Sequence, residues 1–163
     1  MLNAIRDVQS EPWNEITTGK LITTCIGLLL FFIVLARDQD RFIFLIDHTN
    51  LAFHEAGHVI FGLLGGTLGL YGGTLGQLVF PLVAVIAFWL RREAISFVVA
   101  AVWLFENFLN IAHYMADARA QVLPLVGGGK HDWTNIFSRW SVWRDPGATC
   151  VSSRCSYCLL AAA

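Results

Sequence analysis

Phe42-Ile43-Phe44-Leu45-Ile46-Asp47-His48-Thr49-Asn50-Leu51-Ala52-Phe53-His54-Glu55-Ala56-Gly57-His58-Val59-Ile60-Phe61-Gly62-Leu63-Leu64 is an apolar run with a polar motif inside it. Its reading decides the fold. On a helix, His54 and His58 fall one turn apart on one face, where two imidazoles can grip one Zn²⁺. Glu55 then projects beside the metal, placed to take a proton from bound water. The flanks, Phe42 to Ile46 and Val59 to Leu64, have the composition of a membrane segment. Five His and five Glu in 163 residues would produce His-Glu-x-x-His by chance about 0.005 times. A pair of buried histidines hydrogen-bonded across helices is the simpler alternative. Ionisable groups in membrane segments are costly, however, and are functional candidates by default.

The surrounding chain supports a membrane reading. It is 56% hydrophobic and 14% charged, with a formal net charge of −1 and a mean hydropathy of +0.59. This is too apolar for an ordinary soluble domain and suits a small polytopic membrane protein. The charge balance leaves no basic footprint for nucleic acid, and the hydropathy makes membrane lipid the expected partner. Cys25 lies in an apolar segment, and Cys155 and Cys158 form one unrepeated pair, a weak metal or redox signal. The first 18 residues are polar and acidic, unlike a cleavable signal peptide, so the first apolar run is expected to be retained.

Four apolar stretches follow: 19–36, 42–64, 74–90 and 94–116. The expected fold is all-α, a transmembrane bundle of about four spans (19–120) after a polar segment (1–18). Between the second and third spans Gly65-Gly66-Thr67-Leu68-Gly69 is echoed by Gly72-Gly73-Thr74-Leu75-Gly76. The glycine spacings fit small-xxx-small helix packing. The duplication reads either as a flexible turn at the membrane surface or as a re-entrant or extended segment on which a substrate strand could pair. After it, 121–144 reads as a Gly-rich loop with Asp132 as N-cap of a short helix. Trp133, Ile136, Phe137, Trp140 and Trp143 then share one side, as in an interfacial helix lying on the membrane. The tail, 145–163, carries no structural signal. Loop charges lean towards a cytoplasmic N-terminus.

Catalytic zinc usually has three protein ligands, so His54 and His58 need a partner. The fourth stretch offers a polar stripe: Asn107, Asn110, His113 or Tyr114, and Asp117, with Glu106 at its edge. At 1.5 Å per residue, Asp117 lies roughly 10 Å deeper than His58 along parallel helices. Depth favours Asn110 or His113, whereas ligand chemistry favours Asp117 or His113. His131 could fold back from the loop. Asn107 or Asn110 could donate to an oxyanion or substrate carbonyl. Two His and a carboxylate also suit Fe²⁺ or Co²⁺.

Phe53-His54-Glu55-Ala56-Gly57-His58 in a transmembrane helix resembles the site-2 protease class of intramembrane zinc metalloproteases. Residues 42–140, with Asn107-x-x-Asn110, Tyr114, Asp117-Ala118-Arg119 and His131-Asp132-Trp133, also resemble a group of bacterial integral membrane proteins that carry the same element. The resemblance implies a zinc-dependent hydrolase, most simply an intramembrane metallopeptidase with a transmembrane-helix or peptide substrate, in a bacterial inner (cytoplasmic) membrane. It implies His54, His58 and Asp117 as Zn²⁺ ligands and Glu55 as the base. The Leu-Asp-Gly of the protease class is replaced here by Ala116-Asp117-Ala118. The alternative is a non-catalytic metal-binding or helix-interacting membrane protein, for which Glu55 would be dispensable. A membrane di-iron oxidase would need more than the five histidines present.

Overall fold

A computed structural model describes residues 10–37, 43–123 and 131–140. Among them are five helices and no strand: α1 (Thr18–Arg37), α2 (Phe44–Gly62), α3 (Gly66–Leu90), α4 (Ala94–Asp117) and α5 (Asp132–Arg139). Three of these, α1, α3 and α4, are long and apolar enough to cross a membrane. At 1.5 Å per residue, the 20 residues of α1 span about 30 Å, the thickness of a hydrocarbon core. Length and composition are thus those of an integral membrane protein. The motif helix α2 is as long as a span, but Asp47, His48, Asn50, His54, Glu55 and His58 make it more polar than the other three. The charged turn at 38–41, the loop at 124–130, Trp143 and the tail lie outside the described residues.

From Gly66 onward the glycine duplication is helical, which corrects the extended reading and confines the turn to its first residue, Gly65. Only residues 63–65 separate α2 from α3, and Gly65 there takes a φ of +127°, a conformation glycine alone adopts without strain. The duplication then forms the start of α3. Glycine's helix cost of about 1 kcal/mol is offset because bare backbone lets two helices touch. A Cβ on Gly57 or Gly72 would collide with the other's backbone, and one on Gly69 would meet Gly62.

The chain forms two compact units, Met1–Phe53 with Gln77–Asn107, and His54–Gly76 with Phe108–Ala163. In the first, aromatic and amide contacts join α2, α3 and α4. Phe53 stacks on Phe80 with centroids 4.4 Å apart and tilts against Trp103 at 5.6 Å. Asn50, almost fully buried, donates to Glu106 Oε2 (2.7 Å) and accepts from Trp103 Nε1 (2.9 Å). At the α3–α4 turn, Arg92 takes the left-handed conformation (φ 55°). Its guanidinium lies 4.2 Å from the centre of the Trp13 ring, and its Nε donates to the Glu11 carbonyl. Asn14 completes this junction by donating to the carbonyls of Arg91 and Arg92.

In the second unit, α5 buries Trp133, Ile136 and Phe137 against protein, and Trp140 is half exposed. Of the face expected to lie on a membrane, these three residues are covered by protein, Trp140 only in part, and Trp143 is outside the described residues.

Candidate metal centre

All residues of the centre belong to the second unit. His54 and His58 stand one turn apart on α2, their ring centroids 4.8 Å apart and their planes near perpendicular. Their Nε2 atoms are 3.1 Å from each other. Asp132 Oδ2, from the first residue of α5, lies 2.8 Å from His54 Nε2 and 3.0 Å from His58 Nε2. Among the described residues this trio is the one group of His, Cys, Asp or Glu side chains with converging ligand atoms.

The α3 glycines make the geometry possible. A Cβ on Gly73 would overlap the His54 ring, so only glycine there leaves the imidazole its place. The Gly69 carbonyl accepts a hydrogen bond from His58 Nδ1 at 2.7 Å. A carbonyl can only accept, so this bond fixes the tautomer, with the proton on Nδ1. A neutral His58 therefore turns an unshared pair at Nε2 towards the Asp132 carboxylate, 3.0 Å away. Two acceptors at that distance repel unless a proton, on the ring or on the carboxyl, or a metal ion lies between them. A metal-bound histidine commonly donates its other ring nitrogen to a backbone carbonyl in this way.

The donor set fits zinc. Bonds of 2.0–2.2 Å in a tetrahedron separate ligand atoms by about 3.3 Å. The three separations here, 2.8, 3.0 and 3.1 Å, need only a few tenths of an ångström of expansion. Three protein ligands leave a fourth position open, as in catalytic sites. Burial works to raise the Asp132 carboxyl. Hydrogen bonds and charge interactions with His54 and His58 outweigh it and hold the group below the usual range.

The third member of the cluster is Asp132, whereas the resemblance pointed to Asp117. The Asp117 carboxylate is occupied at the end of α4, where Oδ1 accepts from the Val122 amide (2.9 Å) and Oδ2 from the Leu123 amide (3.1 Å). His131 also stays out of the cluster: it is buried, lies face to face on Tyr114 with centroids 4.1 Å apart, and points Nε2 at Asp117 Oδ2 (3.6 Å). Burial pushes its imidazole below the ordinary value, against the pull of Asp117 and Asp132. His113 is exposed and Asn110 half-buried, neither in the trio. Asn107 belongs to the first unit, fully buried, its Nδ2 donating to the Trp103 carbonyl. Glu55 is exposed, between the two histidines in sequence.

Asp132 is not the N-cap of α5. That position is His131, which makes no side-chain cap bond, and Asp132 is the first helical residue. Tyr114 contributes as well. Its hydroxyl accepts the Asp132 amide at 3.3 Å, and its ring meets the His54 ring edge-on. The sequence signal for Asp132 was an acid opening a helix of buried aromatics, which capping alone seemed to explain.

Compared with known protein families, with curated proteins and with solved structures, the chain matches none.

Proposed function

We propose that the chain is a zinc-dependent hydrolase of the membrane, an intramembrane metallopeptidase in which α2 forms a fourth span. The observation that carries this reading is the convergence of His54 Nε2, His58 Nε2 and Asp132 Oδ2, with the His58 tautomer set by the Gly69 carbonyl. His54, His58 and Asp132 would hold the ion. Bound zinc supplies Lewis acidity and brings the pKa of a coordinated water towards neutrality. Glu55 is the proton acceptor in this scheme, and its exposed position on α2 keeps its carboxylate free to take a proton from water and return it to a leaving amine. The Gly69 carbonyl keeps His58 Nε2 aimed into the site, and Tyr114 holds the backbone of Asp132. The α5 helix, anchored by its buried Trp133, Ile136 and Phe137, carries Asp132 as its first residue. By resemblance, the setting is a bacterial cytoplasmic membrane and the substrate a transmembrane helix or peptide.

The test is cleavage of membrane-spanning peptides by the purified chain in lipid vesicles, with Glu55→Gln alongside. The reading predicts zinc content unchanged and cleavage reduced at least about 100-fold, the scale of general-base catalysis. Cleavage unaffected by Glu55→Gln would remove the peptidase and leave a metal-binding membrane protein.

A further inference from the structure

Asp117 sits where α4 ends, and its carboxylate grips the chain on both sides of the segment that leads to the metal trio. On the outgoing side it accepts the amides of Val122 and Leu123. On the returning side the buried His131 ring lies 3.6 Å from Asp117 Oδ2, the two charges or dipoles facing each other where the protein excludes water. His131 immediately precedes Asp132, so fixing one backbone fixes the other. Three further contacts tie the same junction. Tyr114, one turn before Asp117, carries the His131 ring on its face and takes the Asp132 amide on its hydroxyl. Thr134 donates its hydroxyl to the Ala118 carbonyl, and Gln121 donates its amide to that hydroxyl. The first turn of α5 is therefore held to the last turn of α4 and to the residues just after it.

Resting on the metal-site reading above, we infer that Asp117 and His131 form a clamp that seats Asp132 against His54 and His58. Asp117 is a positioning residue for the metal site and not a ligand. The clamp explains why a carboxylate is needed at the end of α4. One oxygen alone would satisfy one amide, whereas two oxygens hold two amides and face His131 as well. It also explains a buried histidine whose ring nitrogens have no hydrogen-bond partner among the described residues. Its flat ring packs on Tyr114 while its edge faces Asp117. Partners that orient metal ligands typically affect affinity by 10–100-fold without changing the ligand set.

The experiment is titration of the detergent-purified full chain with Co²⁺, followed by visible absorption, for wild type, His54→Ala, Asp132→Ala, Asp117→Ala, Asp117→Asn and His131→Phe. The clamp predicts that Asp117→Ala binds Co²⁺ about 10–100-fold more weakly, yet gives the wild-type spectrum at saturation. Asp117→Asn, which keeps one acceptor oxygen, recovers part of that loss. His131→Phe keeps the ring on Tyr114 but not the polar edge, and weakens binding with the same unchanged spectrum. It carries the test should Asp117→Ala fail to fold. Asp132→Ala, by contrast, alters the spectrum because a ligand is gone. A spectrum altered by Asp117→Ala in the manner of Asp132→Ala would make Asp117 a ligand and overturn the clamp. Wild-type affinity in both Asp117→Asn and His131→Phe would overturn it too. Failure of the metal site itself looks different: wild type takes up no Co²⁺, or His54→Ala binds it as wild type does, and the clamp then falls with the site.

Discussion

Two buried polar clusters are anchored on α2 one turn apart, and they are built on opposite rules. Around Asn50, donors meet acceptors: the amide nitrogen donates to Glu106 and the amide oxygen receives the Trp103 indole. At His58 an acceptor faces an acceptor, because the Gly69 carbonyl commits the ring proton to Nδ1 and leaves Nε2 of the neutral ring looking at the Asp132 carboxylate. A matched network is complete without further atoms and reads as structure. A mismatched one needs a further proton or a metal ion and marks a candidate binding site. Hydrogen-bond polarity thus separates two clusters that burial alone would class together.

Substitutions in the two clusters should have different consequences. The largest effect is expected at His54, where alanine removes a ligand and should abolish stoichiometric metal in the purified protein. Gly73→Ala comes next. It deletes nothing from the ligand set, but its methyl overlaps the His54 ring. A loss of metal close to that of His54→Ala, measured by elemental analysis, is expected; full retention would show that α3 does not shape the site. On the matched side, Asn50→Leu should leave metal content at the wild-type value. It strands the buried Glu106 carboxyl and the Trp103 indole, at a cost of about 1–3 kcal/mol for each buried group left without its partner. Thermal unfolding in detergent reads that cost as a lower midpoint. Trp13→Ala should be smallest, about 0.5–2 kcal/mol for the stacked Arg92, again with no change in metal.

The same contrast explains what the sequence made legible. The apolar runs reported four of the helices to within a few residues at most of their ends, since a bilayer-length run of apolar residues has little other option than a helix. The exception was the start of α3, where glycine was read as a turn signal. Its helical state depends on close approach to Gly57 and Gly62, which is a tertiary fact. His54 and His58 were legible because their relation is local, one helical turn. Asp132 was not, because it meets them across 78 and 74 residues of chain, and no periodicity spans that distance. Asp117 drew attention for a sound reason, an acid on a polar stripe, but its carboxylate is used by Val122 and Leu123. The face of α5 is apolar as its spacing shows, while the burial of Trp133, Ile136 and Phe137 against protein is again a matter of packing.

The central claim is that His54, His58 and Asp132 together hold one metal ion. Its most direct test is the zinc content of the detergent-purified full chain, measured for wild type and for Asp132→Ala after zinc is supplied and excess removed. The account predicts one equivalent in wild type and a large loss in Asp132→Ala. Zinc retained in full by Asp132→Ala, or none bound by wild type, would contradict it.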